Sequence, residues 1–327
     1  MRERDLIAEI GDLFATADPR IVRGIGDDAA VVRSARYAVT SIDTMVDGVH
    51  FRSADLSPTE IGHRALAGAL SDLAAMGIDT GVAYFGLGLP GGSPWEGVRE
   101  LVDGAAELAR VCGVTIAGGD ITRAPALTLT FTVVGSVEDP SALVGRGGAQ
   151  PGDLVGVTGA LGGGGAGLAL VSGDARIADP ALADAARARY ARPTPRLAAG
   201  RALAAAGASA LIDLSDGVAS DAARVGVASG AVLSLTLADL PLAAGVVEVA
   251  PQIGRLAAEI AAEAGDDYEL CLCAPLAARA SIEEAAAAAD TAAAVTWIGR
   301  VVAPGPDGPG VRFEDAPRPL RGHEHTI

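Results

Sequence analysis

Residues 70–77 are Leu70-Ser71-Asp72-Leu73-Ala74-Ala75-Met76-Gly77, and they end a segment that has the apolar spacing of a helix. The helix is predicted to begin after Ser57, which can cap it, with Pro58 in the first turn and Glu60 three residues after the cap. Asp72 lies near the apolar side of this helix, where a carboxylate is costly unless it is paired or bound to a metal ion. The segment therefore predicts a helix that carries a functional acid.

Further strands and helices are predicted on both sides of this helix. The predicted helices are 3–16, 95–111, 163–171, 180–190, 195–206, 217–229, 254–264 and 275–289. The predicted strands are 37–42 (ending at Asp43), 82–89, 114–117 (ending at Gly118-Gly119-Asp120), 127–137, 153–158, 209–213, 231–237, 268–273 and 295–302. Because strands and helices interleave in both halves, we expect a mixed α/β fold. The break at Glu138-Asp139-Pro140, followed by a glycine-rich stretch, divides it into two domains, 1–138 and 149–327.

Composition excludes several classes of function. The chain has 327 residues, and half of them are hydrophobic, so it is not mainly disordered. Its net charge is −16, from 41 acids and 25 bases, so we expect no nucleic-acid partner. All the bases are Arg, which excludes a Walker-A lysine, a protein-kinase lysine and Schiff-base chemistry. The three Cys form neither a disulfide framework nor a zinc set. The N-terminus lacks the apolar core of a signal peptide, and the longest uncharged stretch, 154–171, contains seven Gly. We therefore expect a cytoplasmic protein without a membrane span.

Many of the acids lie at the ends of predicted elements, several of them beside Gly or Ser. They are Asp27, Asp28, Asp43, Asp47, Asp120, Asp213, Asp216, Asp266 and Asp267. Each one alone is also typical of a solvated turn or a helix cap. Together with Asp72 they form an oxygen-rich set, which hard cations such as Mg²⁺ require. In a chain without Lys, an acidic site that handles phosphates would need such a cation to reverse its charge.

Two other patterns are weaker. Gly162-x-Gly164-x-x-Gly167 matches a dinucleotide-binding fingerprint, but no acid stands at the expected distance in a clear strand, so we favour a loop at a helix N-terminus. The sequence contains no zinc-protease or nucleophile-elbow motif, and no residue stands out as a covalent nucleophile. His50, just after Asp47-Gly48-Val49, is either a structural hydrogen-bonding residue or a substrate contact.

Taken in order, these motifs resemble the thiamine-monophosphate kinase family, part of the superfamily that includes aminoimidazole ribonucleotide synthetase. The resemblance extends from about Asp5 to about His325. Its motifs are Gly24-Ile25-Gly26-Asp27-Asp28-Ala29, Ser41-Ile42-Asp43-Thr44 with His50-Phe51, residues 70–77, Gly118-Gly119-Asp120 and Ile212-Asp213-Leu214-Ser215-Asp216-Gly217. Arg146-Gly147-Gly148-Ala149, Arg192-Pro193-Thr194-Pro195-Arg196 and Asp267-Tyr268-Glu269-Leu270 match as well. The runs 70–77 and 212–217 are specific as a pair, whereas Gly-Gly-Asp alone is not.

The resemblance implies a fold, a reaction and a set of site residues. The fold is that of aminoimidazole ribonucleotide synthetase, with N-terminal strands that form a barrel in a homodimer. The reaction is phosphorylation of thiamine monophosphate by ATP to give thiamine diphosphate. Several Mg²⁺ ions would be held by Asp28, Ser41, Ile42, Asp43, Asp72, Asp120, Asp213 and Asp216. ATP would contact Gly119, Asp120, Arg146 and Ser215, and the thiamine phosphate would contact His50, Asp266 and His323.

Three positions depart from the family pattern. Ile42 replaces a usual Thr, so only its backbone carbonyl can serve a metal ion. Asp266 replaces a usual Glu and is one methylene shorter, and His323 stands where Tyr or Trp would stack on the substrate. The thiamine-ring pocket is therefore the part of the site that differs most.

Two alternatives remain at this point. The first is another ATP-using member of the superfamily, such as a purine-synthesis synthetase, a selenophosphate synthetase or a hydrogenase-maturation protein. Selenophosphate synthetases usually need an early reactive Cys and a Lys, whereas the first Cys here is Cys112. A hydrogenase-maturation relative would carry a C-terminal Cys, whereas this chain ends in Ile327. The second alternative is a non-catalytic nucleotide-binding protein, which predicts degraded metal ligands.

Overall fold

The computed structural model describes residues 3–14, 17–25 and 29–324, which group into two compact units. The first unit comprises the chain up to Leu73 together with Asp79–Pro140, and the second comprises Ala74–Ile78 and the chain from Ser141. In the first unit the elements are α1 (Glu3–Leu13), β1 (Ile21–Arg23), β2 (Val31–Val32), β3 (Tyr37–Val46), α2 (Pro58–Ala75), β4 (Thr80–Leu89), α3 (Trp95–Cys112), β5 (Thr115–Arg123) and β6 (Thr128–Val137).

A four-stranded sheet forms the centre of the first unit, in the order β3-β6-β4-β5. β6 is antiparallel to both of its neighbours, and β4 is parallel to β5. Side chains alternate along β6, so Leu129, Phe131 and Val133 are fully buried while the threonines between them are half-buried. The ring of Phe131 stacks on that of Phe85 at 4.4 Å between centroids. One face of the sheet therefore carries the apolar core of this unit.

The ends of α2 follow the local chemistry that the sequence predicts. The backbone N–H and hydroxyl of Ser57 donate to the Glu60 carboxylate at 2.8 and 3.0 Å, and the Glu60 N–H donates to the Ser57 hydroxyl at 3.3 Å. Gly77 follows the helix with a φ of +68°, a left-handed conformation that favours glycine. The predicted capping box and glycine stop are both confirmed.

Two glycines let α2 and α3 approach closely. A Cβ on Gly62 would lie 1.9 Å from the carbonyl oxygen of Leu101, and one on Gly104 would lie 2.0 Å from that of Thr59. Any side chain at either position would force the helices apart. Glycine is therefore required at this crossing.

The second unit is built on a six-stranded sheet in the order β12-β9-β11-β7-β10-β8. Its strands are β7 (Leu154–Thr158), β8 (Ala210–Asp213), β9 (Val232–Leu235), β10 (Leu270–Ala274), β11 (Val295–Val302) and β12 (Gly310–Phe313). Its helices are α4 (Gly163–Val171), α5 (Pro180–Ala191), α6 (Leu197–Ala205), α7 (Val218–Ser229), α8 (Val246–Val249), α9 (Ala257–Glu263) and α10 (Arg279–Ala289). β10 is buried along its whole length, between β7 and β8. The Cys271 and Cys273 side chains belong to the core of this unit.

The predicted elements are present, but four were missed, two strands were predicted to end too early, and α9 and α10 begin three and four residues after their predicted starts. The missed elements are β1, β2, α8 and β12, none longer than four residues. β3 continues past Asp43 to Val46, and β5 continues through Gly119 and Asp120 to Arg123. Gly118-Gly119 suggested a turn, yet both residues lie within β5. The Phe85 backbone approaches Gly119 so closely that a Cβ there would lie 2.1 Å from the Phe85 carbonyl oxygen, so glycine is required at this position of the strand. Across the described residues, every helix is too short or too polar to cross a membrane.

Candidate functional site

In the first unit, Ser41 and Asp72 form the closest pair among the predicted site residues. The Ser41 hydroxyl on β3 donates to Asp72 Oδ2 on α2 at 2.5 Å. Asp43, two residues along the same strand, accepts a 2.8 Å hydrogen bond from the backbone N–H of Thr44 through its Oδ1 atom. Since side chains alternate along a strand, Ser41 and Asp43 share one face of β3. Three oxygen-bearing side chains are thus presented where β3 and α2 meet.

Ile42 points away from this group, and its side chain is 66% exposed. Its hydrophobic side chain cannot bind a cation, so any contribution to a metal site comes from its backbone carbonyl oxygen. Asp28 lies outside the described residues. The donors in the first unit are carboxylate, hydroxyl and carbonyl oxygens, and this set fits a hard cation such as Mg²⁺.

Gly119 and Asp120 lie on β5, the outer strand opposite β3. In the register of the sheet, Asp43 is level with Phe131, Phe85 and Gly119, and Asp120 follows in the next row, opposite Gly86. Three strand spacings separate β3 from β5, which is about 14 Å along the sheet. Asp43 and Asp120 of one chain are therefore too far apart to bind the same ion.

His50 is held in the turn that follows β3. The backbone N–H of Val46 donates to His50 Nδ1 at 3.1 Å, and the His50 N–H donates to the Val46 carbonyl oxygen at 2.9 Å. Because Nδ1 accepts, the proton of the neutral ring sits on Nε2. The structural hydrogen-bonding role of His50 is therefore present, and its substrate contact stays a prediction.

In the second unit, the segment after β8 brings Ser215, Asp216, Asp266 and His323 together through backbone contacts. The N–H of Asp266 donates to the Ser215 carbonyl oxygen at 2.9 Å, and the N–H of His323 donates to the Asp216 carbonyl oxygen at 2.8 Å. Asp213 precedes them as the last residue of β8, buried and paired with Leu270. Arg146 is exposed, and its carbonyl oxygen accepts a hydrogen bond from the Ser229 hydroxyl at 3.2 Å.

Two residues of α7 that the sequence analysis did not single out hold Asp216. The Arg224 guanidinium lies 2.6 Å from Asp216 Oδ2 and 2.6 Å from Asp221 Oδ1. Asp221, which is fully buried, also accepts a 3.0 Å hydrogen bond from the Asp216 N–H. Burial raises the pKa of the Asp221 carboxyl to about 7. The available signal was an acid in the first turn of a helix after Gly217, a favoured position that also occurs in many helices without a site.

The loop before β10 contains two further buried acids. Asp267 accepts hydrogen bonds from the N–H groups of Gly162 and Gly164 at 2.6 and 2.9 Å. Glu269 accepts from Thr158, from Arg189, and from both the Nε and Nη2 atoms of Arg196 at 2.8 and 2.6 Å. The N-terminus of α4 is therefore occupied by a side chain of the same chain. This confirms a helix N-terminal loop rather than a dinucleotide site for the glycine cluster.

Across the part of the chain that the structure describes, no three His, Cys, Asp or Glu side chains lie close enough together to hold a metal ion. The predicted ligands are thus present as a pair at Ser41 and Asp72, with Asp43 beside them, and as separate acids elsewhere.

Comparison with known proteins identifies the family. Residues 26–137 match the model of the AIR synthase related protein N-terminal domain. The chain is 37% identical over 287 residues to the thiamine-monophosphate kinase of Escherichia coli O157:H7, covering 86% of each chain. The crystal structure of thiamine-monophosphate kinase from Stenotrophomonas maltophilia K279a is 32% identical, covers 96% of this chain and 97% of that chain, and superposes with a TM-score of 0.83.

A further solved structure, AaThiL complexed with AMPPCP and TMP, is 27% identical, covers 100% of this chain and 99% of that chain, and has a TM-score of 0.77. The similarity thus extends over both units and includes the aminoimidazole ribonucleotide synthetase-like fold that the motifs predict. With 37% identity over 86% of a curated relative, the chain belongs to the thiamine-monophosphate kinase family of phosphate-transferring enzymes.

Proposed function

We propose that the chain transfers the terminal phosphoryl group of ATP to thiamine monophosphate, which yields ADP and thiamine diphosphate. The observation that carries this proposal is the 37% identity to a thiamine-monophosphate kinase, which extends over 86% of both chains. The AaThiL complex with AMPPCP, an analogue of ATP, and TMP supports the assignment of the two substrates. The oxygen-donor pair at Ser41 and Asp72 is consistent with it.

The transfer is proposed to be direct and in line. A phosphate oxygen of thiamine monophosphate attacks the terminal phosphorus of ATP, the new P–O bond forms, and the bond to the β-phosphate oxygen of departing ADP breaks. The acceptor is already an anion at neutral pH, so no residue is needed as a strong general base. Because no residue stands out as a nucleophile, we propose no phospho-enzyme.

The chain would contribute positioning and charge. In the first unit, Asp28, Ser41, the Ile42 carbonyl, Asp43, Asp72 and Asp120 would hold Mg²⁺, and Gly119 with Asp120 would contact ATP. In the second unit, Asp213 and Asp216 would hold Mg²⁺, and Arg146 and Ser215 would contact ATP. His50, Asp266 and His323 would contact thiamine monophosphate. Bound Mg²⁺ would neutralise the negative charge of the two phosphate groups that must approach each other.

The separation of Asp43 from Asp120 supports a homodimer. These two proposed ligands lie on opposite outer strands of a four-stranded sheet, about 14 Å apart along it. A second copy that placed its β3 beside β5 would bring Asp43 of one copy near Asp120 of the other. Both outer strands would then be paired, which removes the exposed edges of the sheet. We therefore propose that the N-terminal unit, about residues 1–138, forms the dimer and that residues 149–327 form the second domain.

One assay tests the activity. The protein is incubated with ATP, Mg²⁺ and thiamine monophosphate, and thiamine diphosphate is measured by chromatography, with a parallel reaction that contains thiamine in place of its monophosphate. We expect thiamine diphosphate to form in proportion to the ADP released. ATP hydrolysis without thiamine diphosphate would contradict the proposal. With ATP made chiral at the γ-phosphorus, direct transfer predicts inversion of configuration, and a phospho-enzyme predicts retention.

A further inference from the structure

The loop that carries Asp266 has an unusual backbone. In the described part of the chain, the only residues other than glycine with a positive φ are Asp266, at +66°, and Tyr268, at +50°. A left-handed conformation is unfavourable for both, and especially for a bulky residue such as Tyr. Asp267 stands between them. Such strain persists only where the surrounding structure determines it, and it is commonly found at functional sites.

Three groups of contacts hold this loop. On one side, the N–H groups of Asp266 and Tyr268 donate to the carbonyl oxygens of Ser215 and Leu214, each at 2.9 Å. Within the loop, the Tyr268 hydroxyl donates to Asp266 Oδ1 at 3.2 Å. On the other side, both carboxylate oxygens of Asp267 accept the N–H groups of the first turn of α4.

The contact between Asp267 and α4 is close and specific. Asp267 is 4% exposed, and its two oxygens each take a separate N–H, from Gly162 at 2.6 Å and from Gly164 at 2.9 Å. A Cβ on Gly164 would lie 2.3 Å from the carbonyl oxygen of Gly265, so the loop is packed directly against the helix. An anion at this end of a helix is also favoured by the aligned peptide dipoles.

We propose that Asp267 is a positioning residue for Asp266. By fixing the centre of the loop to the N-terminus of α4, Asp267 holds its two neighbours in left-handed conformations and so directs the Asp266 carboxylate. This inference rests on the proposed function, which places Asp266 in contact with thiamine monophosphate. It assigns to Asp267 an effect on the binding of that substrate and no effect on the binding of ATP.

Protonation of Asp267 offers a way to distinguish positioning from a general structural role. The charged groups that face Asp267 are Arg189 on α5 and Glu269 on its own segment, and Arg196 pairs with Glu269. Burial raises the pKa of the Asp267 carboxyl to about 6, against the favourable effects of Arg189 and of the two glycine N–H groups. A protonated carboxyl keeps one acceptor for these two donors, so the clamp weakens as the pH falls through this value.

The test compares wild type with Asp267→Asn between pH 5 and 8, with each substrate varied in turn. An amide keeps one acceptor oxygen and presents an NH₂ group to the other glycine N–H. At pH 8 we expect KM for thiamine monophosphate to rise about tenfold, the effect of losing one hydrogen bond to a charged group. KM for ATP and kcat should stay near their wild-type values. The ratio of the variant's KM for thiamine monophosphate to that of wild type should fall toward one at pH 5. At that pH the Asp267 carboxyl of wild type is protonated and also keeps only one acceptor.

Ionisation of the substrate phosphates affects both proteins equally, so it cancels in this ratio. Asp153→Asn is the matched control, because Asp153 is also buried in the second unit but contacts Gln150 and Ser209 instead. If Asp267→Asn does not fold, as judged by thermal unfolding, Asp267→Ser replaces it, because its hydroxyl oxygen can still accept one N–H while its own O–H rotates away from the two glycine donors.

The outcomes separate the two proposals. If wild type makes no thiamine diphosphate, the proposed function fails and this inference fails with it. If wild type is active but the folded variant has an unchanged KM for thiamine monophosphate, the positioning role alone is overturned. The same holds if the ratio of the variant's KM for thiamine monophosphate to that of wild type does not vary with pH. Equal increases in KM for thiamine monophosphate and in KM for ATP would also overturn the positioning role.

Discussion

The backbone N–H of His323 donates a 2.8 Å hydrogen bond to the carbonyl oxygen of Asp216. The preceding residue, Gly322, approaches so closely that a Cβ there would lie 2.1 Å from the same oxygen. A segment near the end of the chain is thus fixed beside a proposed metal ligand. Because this contact uses only backbone atoms, it positions residue 323 whatever its side chain. His323 is exposed.

Asp43→Asn and Asp72→Asn should each reduce kcat by at least about a hundredfold, because each removes a charge from the proposed Mg²⁺ site. The fold should be retained, since an amide oxygen at position 72 can still accept the hydrogen bond from Ser41. Steady-state rates over a range of Mg²⁺ concentrations, with thermal unfolding as the control for folding, check this. Near-normal rates of both variants at low Mg²⁺ would refute the metal assignment.

Mixed dimers should reveal whether the site is completed by the second copy. Asp43→Asn and Asp120→Asn homodimers should both be inactive. Suppose that the Asp43 and the Asp120 of each site come from different chains. A dimer with one chain of each kind then contains one site with both substitutions and one site with neither. Purified through two different affinity tags, such a dimer should show about half the wild-type activity. If the two residues serve the same site from one chain, every site carries a substitution and the mixed dimer stays inactive. A fully active protein that light scattering shows to be monomeric would also contradict the homodimer.

Much of the first unit could be predicted from sequence because its signals are local. Ser57, Pro58, Glu60 and Gly77 set the ends of α2 through contacts within a few residues. The strand through Asp120 was predicted too short, because continuation past Gly118-Gly119 depends on the neighbouring Phe85 backbone, which is distant in sequence. Local propensity cannot report such a contact.

The second unit shows the same limit at its candidate site. Ser215 and Asp216 were predicted from their own motif, but their contacts with Asp266 and His323 join parts of the chain that are far apart in sequence. Asp267 belongs to a motif that the sequence shows and Arg224 does not, but the roles of both depend on which groups meet after folding. Family resemblance supplied the site residues, and the structure supplies the residues that hold them.

Ile42→Thr restores the residue usual in the family and tests how position 42 acts. The Ile42 side chain is 66% exposed and points away from Ser41 and Asp43, so we expect kcat to change by no more than about twofold. This follows if only the carbonyl oxygen, which both residues possess, contributes to the metal site. Steady-state rates at saturating and at limiting Mg²⁺ check it. A large gain at limiting Mg²⁺ would indicate that the Thr hydroxyl adds a ligand and that the carbonyl alone is insufficient.

Asp18→Asn should destabilise the first unit in a pH-dependent way. Asp18 accepts hydrogen bonds from the Arg20 guanidinium at 2.7 and 3.0 Å and from the Thr115 hydroxyl at 2.5 Å. The Arg20 side chain holds the pKa of the Asp18 carboxyl well below its ordinary value, despite partial desolvation. Because the folded-state pKa is lowered, the stabilisation is present above the unfolded-state value and is lost as the pH falls.

We therefore expect the variant to lose about 2 kcal/mol of unfolding free energy at pH 7 and progressively less below pH about 4. Urea unfolding at several pH values measures this. Asp55→Asn is the control, because Asp55 pairs with the exposed Arg52 and should cost less than about 1 kcal/mol. A loss for Asp18→Asn that does not change with pH would show that the ion pair is not its cause.

The substrate contacts proposed at Asp266 and His323 should affect KM rather than kcat. Both would touch the thiamine phosphate away from the transferred phosphoryl group, so they act equally in the ground and transition states. Asp266→Glu restores the longer family carboxylate and should lower KM for thiamine monophosphate or leave it unchanged. His323→Ala removes a ring that can stack on the substrate and should raise that KM, while the backbone hydrogen bond to Asp216 remains. KM for ATP should hardly change in either variant, because Arg146 and Ser215 are untouched. Steady-state kinetics with each substrate varied decide the matter. If His323→Ala changes neither KM nor kcat, His323 is a surface residue near the chain end and another residue must cover the thiamine ring.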